Sequence, residues 1–451
     1  MSYNKINAMS NSPWVISDNT KKRITVEHLE AKLEILNNHL ASTCIIKGGK
    51  WVFLSNRIVA YWPFSINSSN GNKTLSFKLL SPGLIISIVY TLVGIFHVVN
   101  FIWNEVKYIV DLSENQLDAV CSVMLDVVLV TCLTMARIYG VLALPKFKTF
   151  WEQIQCIVTQ YISIASHTEI EKKFSQLNKW SLKWVLVFTL LGICLCSINI
   201  VYFNTVNINF PLVTEILYMA TTMIGCTHSC SSFILLFFSK IIGFGFSVCK
   251  MEIEKLGTNV PSSSGDHDHR HEARRKTRSF KLEKIFKLLN DLELCNSQFN
   301  NLFGFNLFID TILCFLTLMV AMFSLYIQNK YDFIFVTYAI LQIVCSSLCF
   351  VCVCMGGSQI TKECLGMSQK FQEIPSSSIS IEDAHKIQLI VQRLSARPSG
   401  MYVAHLYQIQ QSLLCSALNI LATYFVVLIQ LRPSVKANLI DTRNQTVGEK
   451  Q

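Results

Sequence analysis

The chain has 451 residues, 51% of them apolar and 15% charged, with a formal net charge of +10. A soluble domain carries roughly a quarter charged residues, so the apolar side chains exceed what an aqueous surface could hide, and a string of soluble domains is excluded. The 39 basic residues sit between apolar runs instead of gathering with aromatics on one polar face, which argues against nucleic acid as a partner.

From the N-terminus, residues 1–78 are mixed and charged. No short apolar stretch precedes a small-residue cleavage site, so no signal peptide is expected and the first long apolar run should act as an uncleaved anchor. Six stretches contain no Asp, Glu, Lys or Arg: Leu79–Asn104, Trp184–Thr214, Ile216–Ser239, Thr311–Asn329, Phe333–Thr361 and Pro398–Leu431. Each can hold one membrane helix of about 20 residues. A seventh candidate, about Ala119–Leu144, carries Asp126 and Arg137.

Basic residues mark the cytosolic side because they resist translocation. If all seven stretches span, 31 Lys and Arg fall in one set of alternate segments and 6 in the other. The alternation fails unless the Asp126 segment crosses. The predicted fold is therefore all-α with seven transmembrane helices, a cytosolic N-terminus and an extracellular C-terminus. A G-protein-coupled receptor has the opposite orientation, and the chain lacks an Asp-Arg-Tyr at the third span and an Asn-Pro-x-x-Tyr in the last.

The segments assigned to the cytosol look helical. Leu282, Ile285, Leu289, Leu292 and Phe303 fall close to helical spacing. Ser380 with Asp383 makes a capping-box start for a helix through about Ala396, and Arg397-Pro398-Ser399-Gly400 breaks it. From Met401 to Leu431 there is no breaker, and a helix that long would reach about 46 Å. It should project beyond the bilayer and pack against the other extensions. The predicted organisation is a cytosolic segment at 1–78, four spans with their loops in 79–256, and a flexible linker at 257–279. Helical extensions and two further spans follow in 280–400, then the long last helix at 401–431 and an extracellular tail at 432–451.

Two metal readings are weak. His267, His269 and His271 would share a face only in a strand, and the Pro261-Ser-Ser-Ser-Gly context reads as a solvated loop. Cys349 and Cys352 make a Cys-x-x-Cys with apolar flanks and no second pair, so buried or lipid-facing thiols are expected. No phosphate loop, Gly-x-Ser-x-Gly or His-Glu-x-x-His is present. Neither an enzyme activity, a cofactor nor a metal is expected.

The last helix carries the functional signal. At 100° per residue, Ser412, Ser416, Asn419, Thr423 and Gln430 share an arc of about 60°. Leu414, Leu418, Leu421, Phe425 and Leu428 point elsewhere. Unsatisfied polar groups are costly in hydrocarbon, so the seam must face protein or water. Val426 and Val427 flank it and could block ions by dewetting. The competing reading is glue between helices. The fourth span shows a similar stripe of Thr221, Gly225, Ser229, Ser232 and Ser239, although its members are smaller.

The stretch Thr423-Tyr424-Phe425-Val426-Val427-Leu428-Ile429-Gln430-Leu431 resembles the Thr-Tyr-x5-Gln-Phe signature of insect gustatory receptors, with Leu431 in place of the usual Phe. Gly400-Met401-Tyr402 is similar to that family's Gly-Leu-Phe segment. Asn300-Asn301-Leu302-Phe303-Gly304 is similar to its entry to the fifth span, and Trp62-Pro63-Phe64 to its pre-membrane segment. The resemblance implies a ligand-gated cation channel of the cell membrane in chemosensory neurons, assembled as a homo- or hetero-tetramer. The last helix of each subunit would line the pore through Ser416, Asn419, Thr423, Val426, Val427 and Gln430. Gln430 would sit at the constriction and Thr423-Tyr424 below it. Sugar-sensing members usually carry an acidic residue after Thr-Tyr; Phe425 here implies a bitter or unassigned small-molecule tastant.

The resemblance also places a tastant pocket among the first six spans, in their outer half. Polar residues at that depth are His97, Asp126, Asn199, Tyr202, Tyr218, Thr222, Tyr338 and Gln342. An intramembrane carboxylate is a functional candidate, though Asp126 could equally serve an interhelical hydrogen bond. The rivals are a secondary transporter, which tends to show internal repeats and mid-membrane helix breaks, and a G-protein-coupled-type receptor. No repeat is visible, and Pro398–Gly400 lies ahead of the membrane. An outward C-terminus would allow glycosylation at Asn444-Gln-Thr, while Asn67-Ser-Ser and Asn72-Lys-Thr should stay bare.

Overall fold

The computed structural model describes residues 40–59, 62, 64–69, 72–76, 82–111, 117–165, 167–205, 212–258, 268–327, 333–375, 379–427 and 430. A helical stretch at 40–48 leads into α1 (Lys50–Val59), and a hairpin of β1 (Ser65–Ser69) and β2 (Asn72–Ser76) follows. The long helices are α2 (Pro82–Asp111), α3 (Leu117–Leu142), α4 (Leu144–Ile164), α5 (His167–Thr205), α6 (Leu212–Thr258), α7 (Asp268–Ile327) and α8 (Phe333–Gln372). Then come α9 (Ile381–Ala396), a small hairpin of β3 (Tyr402–Val403) and β4 (Tyr407–Gln408), and the apolar helix α10 (Gln411–Val427).

Among the described residues, five helices are long and apolar enough to cross a membrane, or six if α3 and α4 form one bent span, and α10 is a shorter apolar helix. The α3–α4 bend is 63°. Pro145 stands in the first turn of α4; it lacks an N–H and disfavours helical backbone before it. The membrane portion is recognisable from what it leaves uncovered. On α2, Ile85, Val89, Leu92, Phe96, Val99 and Trp103 are all exposed, the pattern of a lipid-facing surface.

Several helices far outrun a bilayer core of about 30 Å. At 1.5 Å per residue, the 60 residues of α7 reach about 90 Å and the 40 of α8 about 60 Å. Their charged ends build an extramembrane bundle. Its hub is α6, which packs on α1, α2, α3, α4, α5, α7 and α8. The predicted core positions Leu282, Ile285, Leu289, Leu292 and Phe303 are all 2% exposed or less. Aromatic rings fill the centre. Trp62 stacks on Phe147 at 5.1 Å and meets Phe303 edge-on at 5.5 Å, Phe150 meets Phe238 at 5.1 Å, and Phe53 meets Phe237 at 5.4 Å. Such pairs add about 0.5–1.5 kcal/mol each beyond area burial. Asn56 pins the Trp62 backbone from both sides: its Nδ2 donates to Trp62 O (2.8 Å) and its Oδ1 accepts from Trp62 N (3.1 Å).

The expected helix at 381–396 is present, with Ser380 as its N-cap: Oγ accepts from Asp383 N (3.0 Å) and donates to Asp383 Oδ2 (2.7 Å). Two expectations are corrected. The linker at 257–279 is shorter than expected, because α6 runs through Thr258 and α7 already begins at Asp268. Its Glu, Ala, Arg and Lys residues are good helix formers, and helix propagates readily from an ordered segment. The second correction concerns the last helix. It does not run from Met401 but starts at Gln411, because residues 401–410 make the β3–β4 hairpin.

Candidate functional site

The hairpin and α10 together form the candidate site. At its base, β3 is clasped by α7. Asn296 Nδ2 and Asn300 Nδ2 both donate to Gly400 O (3.1 and 2.9 Å), and Asn300 Oδ1 accepts from Tyr402 N (2.8 Å). Ala404 N donates to Gly304 O (3.1 Å), and His405 Nε2 lies 2.9 Å from Asn301 Oδ1. Tyr139 on α3 donates to the carbonyl of Leu302 (3.0 Å). Gly304 is small for a reason: a Cβ there would stand 3.2 Å from Ala404 N and 3.3 Å from Tyr402 O.

From the other side α8 closes the clasp. Gln408 Nε2 donates to Thr361 Oγ1 (2.9 Å), and Gln411 N, at the start of α10, donates to Ser358 Oγ (2.7 Å). A Cβ on Gly357 would overlap Ile409 O. Tyr407 bonds Thr311, and burial pushes its phenol above the usual range. These contacts override helix formation at 401–410. Ala404 and His405 take positive φ values of 44° and 62°, a region costly for a residue with a Cβ though one that His visits more than most.

Above the clasp, α10 rests on a narrow stripe. Ala417 and Leu421 are 3% and 8% exposed, and Leu413, Leu414 and Phe425 are half-buried. The polar seam points the other way: Ser412, Ser416, Asn419, Thr423 and Gln430 are all exposed, as are Val426 and Val427 on its flanks. Two seam hydroxyls satisfy their own protons, Ser416 Oγ on Ser412 O (3.3 Å) and Thr423 Oγ1 on Asn419 O (2.8 Å). Leu418, expected to turn away from the seam, does so but is 63% exposed, as is Ile420 at 58%. Among the described residues, then, the seam does not join α10 to the other helices of its subunit.

A family model for 7tm chemosensory receptors matches residues 53–434. The chain belongs to the 7tm chemosensory receptor family. Its fold is similar to that of the insect olfactory receptor OR5 from Machilis hrabei, with a TM-score of 0.64, 13% identity and coverage of 85% of this chain and 97% of that one. It is also similar to the same receptor in complex with eugenol, with a TM-score of 0.58, 13% identity and coverage of 86% and 99%. No curated protein sequence matches it. Together with the apolar helices, membership makes the chain a multi-pass membrane protein of the insect chemosensory receptors.

The short motifs singled out in this receptor's sequence converge. Asn300–Gly304 and Gly400–Tyr402 are the two halves of the clasp, and Trp62 packs on Phe303. Among the residues expected to meet ligand, His97 is buried on α2. Tyr338 and Gln342 are half-buried one turn apart on α8, and Gln342 Nε2 donates to Tyr338 Oη (2.6 Å). The side chains of Asp126, Asn199, Tyr202, Tyr218 and Thr222 lie outside the described residues, as do Leu431 and the tail with Asn444.

Two buried charges were not read as site residues. Asp310 on α7 is 7% exposed and accepts from Ser232 Oγ (3.0 Å). It borders the charge-free run at Thr311, and the serine partner belongs to the small-residue stripe of the fourth span. Arg137 is 1% exposed, its guanidinium 4.7 Å from the Tyr90 ring centre. Both break otherwise apolar sequence, which is the signal that could have flagged them.

Proposed function

We propose that this receptor is a gustatory receptor: a tastant-gated, non-selective cation channel in the plasma membrane of chemosensory neurons. Its N-terminus is cytosolic, and its ligand is bitter or unassigned, not a sugar. Four subunits, identical or mixed with other gustatory receptor chains, bring their α10 seams around one pore. The observation that supports this best is the seam itself. A row of polar side chains on a membrane helix stands exposed among the described residues of its own subunit, and hydrocarbon would penalise it. A water-filled conduit between copies would not. The assembly needs no enzyme activity and no cofactor.

A tastant that fits one arrangement better than another shifts the population toward it. The helices then part near Val426, Val427 and Gln430, and cations flow down their gradient. The clasp supports such a role, since it ties the base of α10 to α7 and α8, so a displacement of either helix is passed to the seam. The eugenol complex of the olfactory receptor agrees with a small-molecule ligand.

Expression of the chain, with a partner subunit if one is required, should give tastant-evoked currents that persist when G-protein signalling is blocked. Gln430→Ala should change ion selectivity or rectification. Currents indifferent to substitution at Ser416, Asn419, Thr423 and Gln430 would mean that the seam only joins subunits.

A further inference from the structure

Apart from α10 and its clasp, the molecule has a cavity of about 240 Å³ between α5, α6 and α8. At about 30 Å³ per water, it has room for roughly eight waters, enough for a phosphate ester and the stub of its alcohol. Lys173, Trp180, Lys240, Phe244, Gln359 and Glu363 line it. Its height is fixed by the sequence. The charge-free run of α5 starts just after Lys183, that of α6 stops just before Lys240, and that of α8 stops just before Lys362. The cavity therefore sits where three helices leave hydrocarbon, at the level of the lipid headgroups.

Its chemistry is cationic and aromatic. Lys240 is half-buried, its Nζ 4.5 Å from the Trp180 ring centre and donating to Gln359 Oε1 (3.0 Å). Lys173 Nζ lies 5.7 Å from the Phe244 ring centre. Among the described residues neither ammonium group is in an ion pair. Glu363 supplies one negative charge against two positive ones, so the lining favours an anion. Tryptophan suits the same depth, and rings beside the ammonium groups would cover the glycerol end of a lipid.

We infer that this cavity is a binding site for the phosphate group of an anionic phospholipid, in the leaflet against which the extramembrane bundle lies. That this leaflet is the cytosolic one rests on the orientation proposed above. The site itself rests only on the cavity and its depth. A juxtamembrane lysine contributes about 1 kcal/mol toward an anionic surface, or about fivefold in affinity.

The test uses the purified full-length chain and native mass spectrometry. Phosphatidylserine and phosphatidylcholine are the lipid probes, and inorganic phosphate is the soluble competitor. The wild type should retain phosphatidylserine in preference to phosphatidylcholine. Lys173→Gln and Lys240→Gln should each weaken that retention by about fivefold, while Lys240→Arg should keep it. Because Lys173 is exposed, its variant reports on the site even if Lys240→Gln fails to fold. Equal retention of the two lipids, or phosphatidylserine retention unmoved in both glutamine variants, would overturn the proposal. Complete displacement by inorganic phosphate would overturn the lipid as its source. Tag accessibility, which tests the orientation, is a separate measurement and can fail independently.

Discussion

Asn300 shows how much one side chain can hold. It is 5% exposed, and both ends of its amide are used, on Gly400 O and on Tyr402 N. Asn300→Ala would remove both bonds and leave a backbone N–H facing a hole, at a cost of about 1–3 kcal/mol. The melting point of the purified receptor should fall accordingly, and a variant that melts with the wild type would remove the clasp from the argument. Ala404 gives a prediction of the opposite sign. Its φ of 44° penalises a Cβ, so Ala404→Gly should stabilise the receptor by up to about 1 kcal/mol, seen as a higher melting point. Gly357→Ala should be the most damaging of the three at the level of local geometry, because the added carbon would meet a backbone carbonyl, which cannot rotate away as a side chain can.

At the scale of elements, the sequence is most legible where local chemistry and tertiary packing agree. Ser380 and Asp383 announce α9, and the structure uses both. Ser380→Ala should cost about 0.5–2 kcal/mol, read as faster amide exchange over the first turn of α9 with the rest of the bundle unchanged. The start of α10 was hidden because nothing between Met401 and Gln411 forbids a helix. The hairpin is imposed by asparagines about a hundred residues earlier, which no local pattern reveals. The aromatic centre was hidden likewise, since Phe147, Phe150 and Phe238 look the same in sequence as lipid-facing rings. The seam of α10 was legible, because helical periodicity alone places its polar residues together. What periodicity could not say is that the seam faces away from its own subunit. That geometry gives a crosslinking pattern, best read in a Cys415→Ser background. Cysteines at Ile420 or Val427, which are exposed, should join neighbouring copies on oxidation, while cysteines at Ala417 or Leu421 should not. Crosslinking with equal efficiency at all four would show that α10 does not keep this face toward its own subunit.

At the scale of the whole molecule, the direction in which the long helices point decides which side of the membrane each end meets. The extramembrane bundle collects the charged ends of α5, α6, α7 and α8, which hold 17 of the 39 basic residues. Translocating such a bundle would be opposed by its Lys and Arg content, so it should stay in the cytosol, together with the N-terminus. With α3 and α4 counted as one bent span, six crossings separate the N-terminus from the end of α8, which leaves α10 to make the last passage outward. A tag at residue 1 should be inaccessible on intact cells and become accessible after permeabilisation. Asn444 should be glycosylated, and Asn444→Gln should abolish the mobility shift. Asn67 and Asn72, paired within or at the end of the β1–β2 hairpin, should carry no glycan. A tag reached from outside intact cells would reverse the orientation and put the bundle in the extracellular space. It would also contradict the basic-residue asymmetry from which the orientation was argued. The α10 seam would survive that reversal, since its exposure follows from packing within one subunit and not from which side of the membrane it enters.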